Sequence, residues 1–339
     1  MGGDTGFTAL HAVSFLGIVE VVATVLVGKE RDVNGVDRMG NTALIWAARE
    51  GHEEVVKMLL EREEVNPDHP DTKYGLTPIS WAAARGHQGI VKMLLEREEV
   101  NADQADTLYG RTPISWAAGR GSSEIVKMLL EREEVNPDRA DSKYGRTPIS
   151  WAAGKGHEGI VKMLLEREEV NPDRADTEYG RTPISWAAGG GYEGIVKLLL
   201  EREEVNPDQA DSKSGRTPIS WAAVWGYEGI VKLLLEREEV NPDQADTLYG
   251  RTPISLAAEW RHEGIVKLLL EREEVNPDQA DLSGRTPISW ATEKGHGGIV
   301  KMLSERVEVN PDQADTDIRR TPPPLAAQPS NSAATIIPL

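Results

Sequence analysis

The residues of this chain best suited to chemistry are its histidines, because imidazole binds zinc and transfers protons near neutral pH. Five of them recur at wide intervals, at His52, His87, His157, His262 and His296. Three are followed by glutamate, but none has a second histidine four residues later, so the helix of a zinc protease is absent. Tyr192 and Tyr227 take the same place in two copies, which a metal site would not tolerate. The pattern therefore favours a structural role, in which each imidazole hydrogen-bonds to nearby backbone.

Carboxylates in the recurring segment Asn-Pro-Asp-x-Ala-Asp are the second candidate. They lack the glycine and the final glutamate of a calcium loop. The chain has no cysteine, which excludes thiolate metal sites, disulfides and cysteine nucleophiles. It also has no phosphate-binding loop, nucleophile elbow or dinucleotide fingerprint. We therefore expect no enzymatic activity, no cofactor and no metal ion.

The elements that carry these residues repeat along nearly the whole chain. Each copy opens with a glycine, and the steps between these glycines are 34 or 35 residues. We number repeats one to nine by these glycines: Gly6, Gly40, Gly75, Gly110, Gly145, Gly180, Gly215, Gly250 and Gly284. A period of this length predicts a solenoid, in which each unit buries its apolar side on its neighbours.

Repeat five shows the structure expected of one unit. Thr147-Pro148 predicts a helix start, with threonine as N-cap and proline in the first turn, and Gly156 predicts its end. A second helix should begin near His157 and bury an aliphatic stripe that starts at Ile160. Asn171-Pro172-Asp173 ends that helix and opens an extended connector.

The pattern Gly-x-Thr-Pro-Ile-Ser-Trp-Ala-Ala-x-x-Gly-His-x-x-Ile-Val-x-x-Leu-Leu resembles the ankyrin repeat. The resemblance implies an all-α solenoid of helix-turn-helix units with extended, hairpin-like connectors. It departs from the family where serine replaces the usual histidine in repeats three to nine, where Glu-Arg-Glu-Glu replaces a glycine after the second helix, and where most connectors are longer. This variant is similar to ankyrin arrays of filamentous fungi, which often follow a nucleotide-binding NACHT-type domain.

The two ends of the array differ from its middle. Residues 1–318 form the predicted array, and residues 319–339 a degenerate tenth repeat and a disordered tail, because Thr321-Pro-Pro-Pro324 cannot continue a helix. Repeat one is unusually apolar, so either it packs with little exposed surface or something N-terminal to it covered it. In repeat eight, Leu256 replaces a tryptophan, and Arg261 replaces a helix-ending glycine at a cost of roughly 1 kcal/mol.

The candidate binding residues lie at positions that the resemblance assigns to a concave face. The residue before the helix-ending glycine varies between copies; we call this set the helix-end row: Arg85, Arg120, Lys155, Gly190, Trp225, Trp260 and Lys294. We expect the strongest contacts at Trp225 and Trp260, beside a recess at Gly190. Trp260 could instead fold back to fill the space that the tryptophan replaced by Leu256 would have occupied.

Two columns at repeat spacing lie beside that row. The residue after each opening glycine forms the arginine column: Arg111, Arg146, Arg181, Arg216, Arg251 and Arg285. It predicts a basic concave face, with pairing to connector aspartates as the alternative. The tryptophan column favours packing between repeats, with ligand stacking as the alternative; it consists of Trp46, Trp81, Trp116, Trp151, Trp186, Trp221 and Trp290.

These features predict a non-catalytic protein–protein recognition scaffold whose partner has an acidic or mixed surface. The alternative is a sensor fragment of a larger NACHT-type receptor. The net charge of −18 disfavours nucleic acid and anionic membranes. Glu20 interrupts the longest apolar run, and the N-terminus lacks signal-peptide features. We expect a monomer in the cytoplasm, with the nucleus as the alternative location.

Overall fold

The computed structural model describes residues 6–26 and 32–305. These ranges contain α-helices and turns without a β-strand, which confirms the predicted all-α fold. The helices are α1 Ala9–Leu16, α2 Val19–Leu26, α3 Ala43–Glu50, α4 Glu53–Leu60, α5 Pro78–Arg85, α6 Gln88–Leu95, α7 Pro113–Arg120, α8 Ser123–Leu130, α9 Pro148–Ala153, α10 Glu158–Leu165, α11 Pro183–Gly190, α12 Glu193–Leu200, α13 Pro218–Trp225, α14 Glu228–Leu235, α15 Pro253–Glu259, α16 Glu263–Leu270, α17 Pro287–Glu293 and α18 Gly297–Ser304.

Each repeat contributes two consecutive helices whose ends follow from local chemistry. In repeat five the Thr147 hydroxyl accepts a hydrogen bond from the Ser150 N–H at 3.3 Å, and Pro148 is the first helical residue. Gly156 takes a left-handed φ of 79° between the helices, although α9 already ends at Ala153. The predicted helix start and the left-handed turn are therefore confirmed.

The main core is a continuous cluster that runs through all nine repeats, and a smaller cluster around Leu76 and Trp81 lies beside it. Within repeat five, Ile149, Ala152, Ile160, Val161 and Leu164 are buried. The first helix of each repeat packs on the first helix of the next, and the second helices do the same. Small alanines at this contact allow close approach, so each unit buries its apolar side on its neighbours.

The connectors are tied to one another by backbone hydrogen bonds. In the connector before repeat six, the Asp176 N–H donates to the Arg181 carbonyl at 2.9 Å, which closes the turn. The neighbouring Thr177 N–H donates to the Tyr144 carbonyl of the preceding connector at 2.8 Å. The same pair of bonds recurs along the array, so the connectors form a ladder beside the first helices.

Arg261 confirms the strain expected in repeat eight. It is the one non-glycine residue with a positive φ, 65°, within the described ranges. The predicted degenerate repeat and tail, residues 319–339, lie outside the described residues. No helix in the part of the chain that the structure describes is long and apolar enough to span a bilayer.

Candidate protein-binding face

The tryptophan column is a packing device. Trp81, Trp151 and Trp290 are fully buried, and each indole in the column donates a hydrogen bond to a connector aspartate. The Trp151 Nε1–Asp141 Oδ2 distance is 2.9 Å, and the six equivalent distances lie between 2.8 and 3.1 Å. Each bond ties a connector to the first helix of its own repeat. The packing interpretation is confirmed, because indoles held in this way have little face left for a ligand.

The arginine column is buried, so the expected basic concave face is wrong. The guanidinium of Arg146 lies between two indole rings, 3.9 Å from the centroid of Trp151 and 4.0 Å from that of Trp186. Arg181 lies 4.8 Å from Trp186 and 3.6 Å from Trp221 in the same way. The six arginines of the column are only 5–8 % exposed. A planar guanidinium stacks on aromatic rings more readily than it stays in water beside them, which explains the burial.

Aspartates of the connectors balance the charge of this column. The Arg216 Nε–Asp246 Oδ2 distance is 3.3 Å, and Arg111 and Arg251 approach the aspartate of the following connector at 4.0 and 3.9 Å. Burial lowers the pKa of Arg146 to about 9, which still leaves it protonated at neutral pH. The alternative expectation, pairing with connector aspartates, is therefore the one that the structure supports.

Repeat eight lacks the indole and carries a buried ion pair. Without an indole at Leu256, Asp246 Oδ2 accepts from Arg216 instead. Arg251 donates to Glu259 at 2.7 Å, and both side chains are buried. Burial raises the pKa of Glu259, and the charge of Arg251 opposes that shift. Trp260 does not fold back into the place of that indole, because it is 41 % exposed.

The helix-end row lies at the surface, but its predicted recess is filled. A Cβ at Gly190 would collide with the ring of Tyr192, and one at Gly191 would lie 2.6 Å from Tyr227 Cε1. The recess expected beside Trp225 is therefore occupied by tyrosine rings. Trp225 and Lys155 are partly buried, and Lys294 is exposed. Trp225 and Trp260 hold equivalent positions in adjacent repeats, but their rings do not stack on each other.

The histidines connect neighbouring repeats. His52 Nε2 lies 2.8 Å from the Phe15 carbonyl of repeat one, and His87, His262 and His296 reach the preceding repeat at 3.1 Å. The imidazole of His52 covers Gly17, where any Cβ would collide with it. The structural role is confirmed, with the difference that the acceptor belongs to the preceding repeat. Within the described ranges no group of His, Asp and Glu side chains could hold a metal ion.

Three exposed leucines on the connectors were missed by the sequence reasoning. Leu108, Leu248 and Leu282 are 42 %, 44 % and 76 % exposed. Leu108 and Leu248 follow the recurring connector aspartate by two residues, where other copies have Lys73, Lys143 or Glu178. Leu282 directly follows Asp281 in a connector that is one residue shorter, and it takes the place of Thr177 or Thr247. Variation between otherwise near-identical copies was the signal that could have found them. Leu248 and Leu282 belong to adjacent connectors, since the Leu282 N–H donates to the Tyr249 carbonyl at 2.8 Å.

Comparison with known proteins agrees with the geometry. A family model described as ankyrin repeats, three copies, matches six overlapping segments: residues 2–71, 25–104, 63–141, 79–176, 167–246 and 238–315. A search of curated proteins found no match. Paired helices stacked at a 34- or 35-residue period, joined by a ladder of connectors and matched by that model over most of the sequence, show that the chain belongs to the ankyrin-repeat family.

Proposed function

We propose that the chain is a non-catalytic scaffold that binds a protein partner on the face formed by the connectors and the helix-end row, with its centre in repeats seven to nine. The observation that carries this proposal is the exposure of Leu248, Trp260 and Leu282 in two adjacent repeats. Ankyrin-repeat proteins serve generally as scaffolds for protein–protein interaction, which supports the class of function.

The distribution of differences between copies supports the location. The buried tryptophans, arginines and aspartates recur nearly unchanged, because each contact needs all its members. The helix-end row and the connector tips are exposed and vary, from lysine and arginine to tryptophan and leucine. Trp225, Trp260 and Leu248 take positions that are mostly charged in other copies, and Leu282 replaces a threonine or serine, so the apolar change is local. Exposed tryptophan near cations is the usual composition of an interface hot spot.

The charge of the partner follows from the exposed cations, since the buried arginines cannot contribute. Arg120 and Lys294 are exposed at the margins of this face, and Lys155 lies partly exposed between them. A partner with an apolar anchor and acidic groups at its rim fits this arrangement better than a basic one. Its binding should weaken moderately as salt rises. The receptor-fragment alternative stays a prediction, to be decided by the coding sequence upstream of residue 1.

The test is affinity capture from the source cells, compared between the native chain and two variants. Trp260→Ala with Leu282→Ala should lose the specific partner, by about 30-fold in Kd, since one hot-spot anchor is worth about 2 kcal/mol. Leu108→Ala is the control, because it removes an exposed connector leucine far from the proposed centre. All three proteins should melt at nearly the same temperature. Equal capture by all three would refute the proposed centre, and equal loss in both variants would show that the effect is not local.

A further inference from the structure

The N-terminal side of repeat one differs from the same side of every later repeat. In repeat two, Ala47, Val55 and Leu59 occupy positions that are fully buried. The equivalent positions stay buried through repeat nine, where Ala291, Ile299 and Leu303 are at 0 % exposure. Repeat one has no repeat before it among the described residues, and it is the one that exposes these positions. They are therefore the positions through which each repeat contacts the one before it.

The residues that repeat one exposes at these positions are apolar. Val21 is 41 % exposed, whereas the eight equivalent residues are 0–1 % exposed. Val13 and Val25 are also partly exposed, and Ile18 is 39 % exposed. We call Val13, Ile18, Val21 and Val25 the N-terminal face. Residues 6–26 contain no lysine or arginine and one acid, Glu20, in a chain that is 28 % charged. At Val13, Val21 and Val25 this face therefore keeps the composition of an internal contact, while Ile18 stands where later repeats have a polar residue such as His52 or Ser122.

The opposite end of the described array is built differently. Thr292 of repeat nine is exposed, although the equivalent residue of repeat five, Ala153, is buried. Ser304 of repeat nine is exposed as well, whereas the equivalent Leu165 of repeat five is partly buried. Terminal repeats of solenoids carry polar residues on their outer side, and repeat nine follows this rule while repeat one does not.

We propose that the N-terminal face docks a further ankyrin-type helix pair, one that presents the small and aliphatic side chains of an internal repeat. The face continues an interface that recurs eight times in this chain, so its shape and chemistry are complementary to such a helix pair. A second copy docked head to tail would present Thr292 and Ser304 to the valines, in place of the alanine and leucine that an internal repeat presents at these positions. The two hydroxyls donate to the Ile288 and Lys301 carbonyls of their own chain, so they would add polar surface and less aliphatic contact to the interface. This surface is separate from the proposed recognition face and does not depend on it.

The experiment uses the absence of cysteine, which makes a single introduced thiol unique. Val21→Cys is placed in the full chain, and a copy of residues 145–179 is inserted between residues 5 and 6 as the probe. The matched control inserts the same copy with threonine and serine at the places of Ala153 and Leu165, which reproduces the outer side of repeat nine. Glu20→Cys is the second control, because the equivalent Glu54 stays exposed in repeat two.

The aliphatic probe should slow thiol labelling at position 21 by at least tenfold, on the order expected for a buried site, and should leave position 20 unchanged. The polar copy should protect position 21 much less. Hydrogen exchange of the α2 amides should also be slowed more by the aliphatic copy than by the polar copy. This measurement uses proteins without the introduced cysteine, so it tests the proposal even if Val21→Cys does not fold. Absent protection, or equal protection by both copies, would overturn the proposal. Protection in the unextended chain together with a dimer in sedimentation would also overturn it, because a second copy would then occupy the face.

Discussion

Arg181→Leu distinguishes a buried structural arginine from an interface arginine. Arg181 is 5 % exposed, lies 3.6 Å from the ring of Trp221, and is balanced by Asp211 and Asp176. Leucine fits at this position between two tryptophan rings, because Leu76 holds the equivalent position in repeat three and is buried with Trp81 and Trp116. The substitution therefore removes the cation without leaving a large cavity. No ion pair within 4 Å joins Arg181 to either carboxylate, in contrast to Arg216 and Asp246, so we expect a loss of about 1–3 kcal/mol, less than for a broken buried ion pair.

The pH dependence of this loss follows from the aspartate left behind. Burial raises the pKa of Asp106, which lies in the connector after Leu76 and faces no arginine of that repeat. Asp211 should behave in the same way in Arg181→Leu. A carboxyl whose folded pKa lies above its unfolded value is most favourable when protonated, so stability falls as the pH rises through the folded pKa. The deficit relative to the native chain should therefore be larger at about pH 7 than at about pH 4.

The assay is urea unfolding followed by far-UV circular dichroism at both pH values, with partner capture measured in parallel. Arg174→Leu is the matched control, since the Arg174–Asp138 pair is 3.3 Å long but half exposed and should be worth under about 1 kcal/mol. Arg181→Leu with Asp211→Asn should recover part of the loss and flatten its pH dependence. Unchanged stability combined with weakened partner binding would refute the burial argument and return Arg181 to the binding face.

Two further substitutions test local features of the array. Arg261→Gly should stabilise the chain by about 1 kcal/mol, because glycine adopts the left-handed φ without a Cβ penalty; an unchanged or lower melting temperature would contradict this. Burial raises the pKa of Asp173 to about 6. The equivalent aspartate one repeat earlier, Asp138, accepts a hydrogen bond from Arg174 of the following connector, whereas Asp173 has Gln209 at the place of that arginine. Asp173→Asn or Gln209→Arg should each recover about 1 kcal/mol at neutral pH, a figure discounted for the half-exposed carboxyl, and should gain nothing at about pH 4; an equal gain at both pH values would rule out titration as the cause.

Helix positions could be predicted from sequence because their signals are local. Thr147 caps α9 and Gly156 turns the chain, each through its own backbone and near neighbours. The burial of Arg146 could not be predicted from one repeat, since its stacking partner Trp186 lies in the next copy. Regular spacing of arginine, tryptophan and aspartate was present in the sequence, but an arginine after a turn ordinarily lies in solvent. The filled recess at Gly190 has the same origin, because Tyr192 folds back over it.

The buried column makes the exposed differences more informative. Indole, guanidinium and carboxylate hold one another in each repeat, and a change to one member leaves another without its partner. Repeat eight shows the consequence, since Asp246, which has no indole donor at Leu256, accepts from Arg216. Residues outside this network, such as Leu282 and Trp260, can vary without that penalty. With helices spaced ~8–10 Å, the N-terminal face and repeats seven to nine lie roughly 50–70 Å apart. Partners at the two surfaces would therefore bind without competing, and a rigid array between them would fix the distance at which they are held.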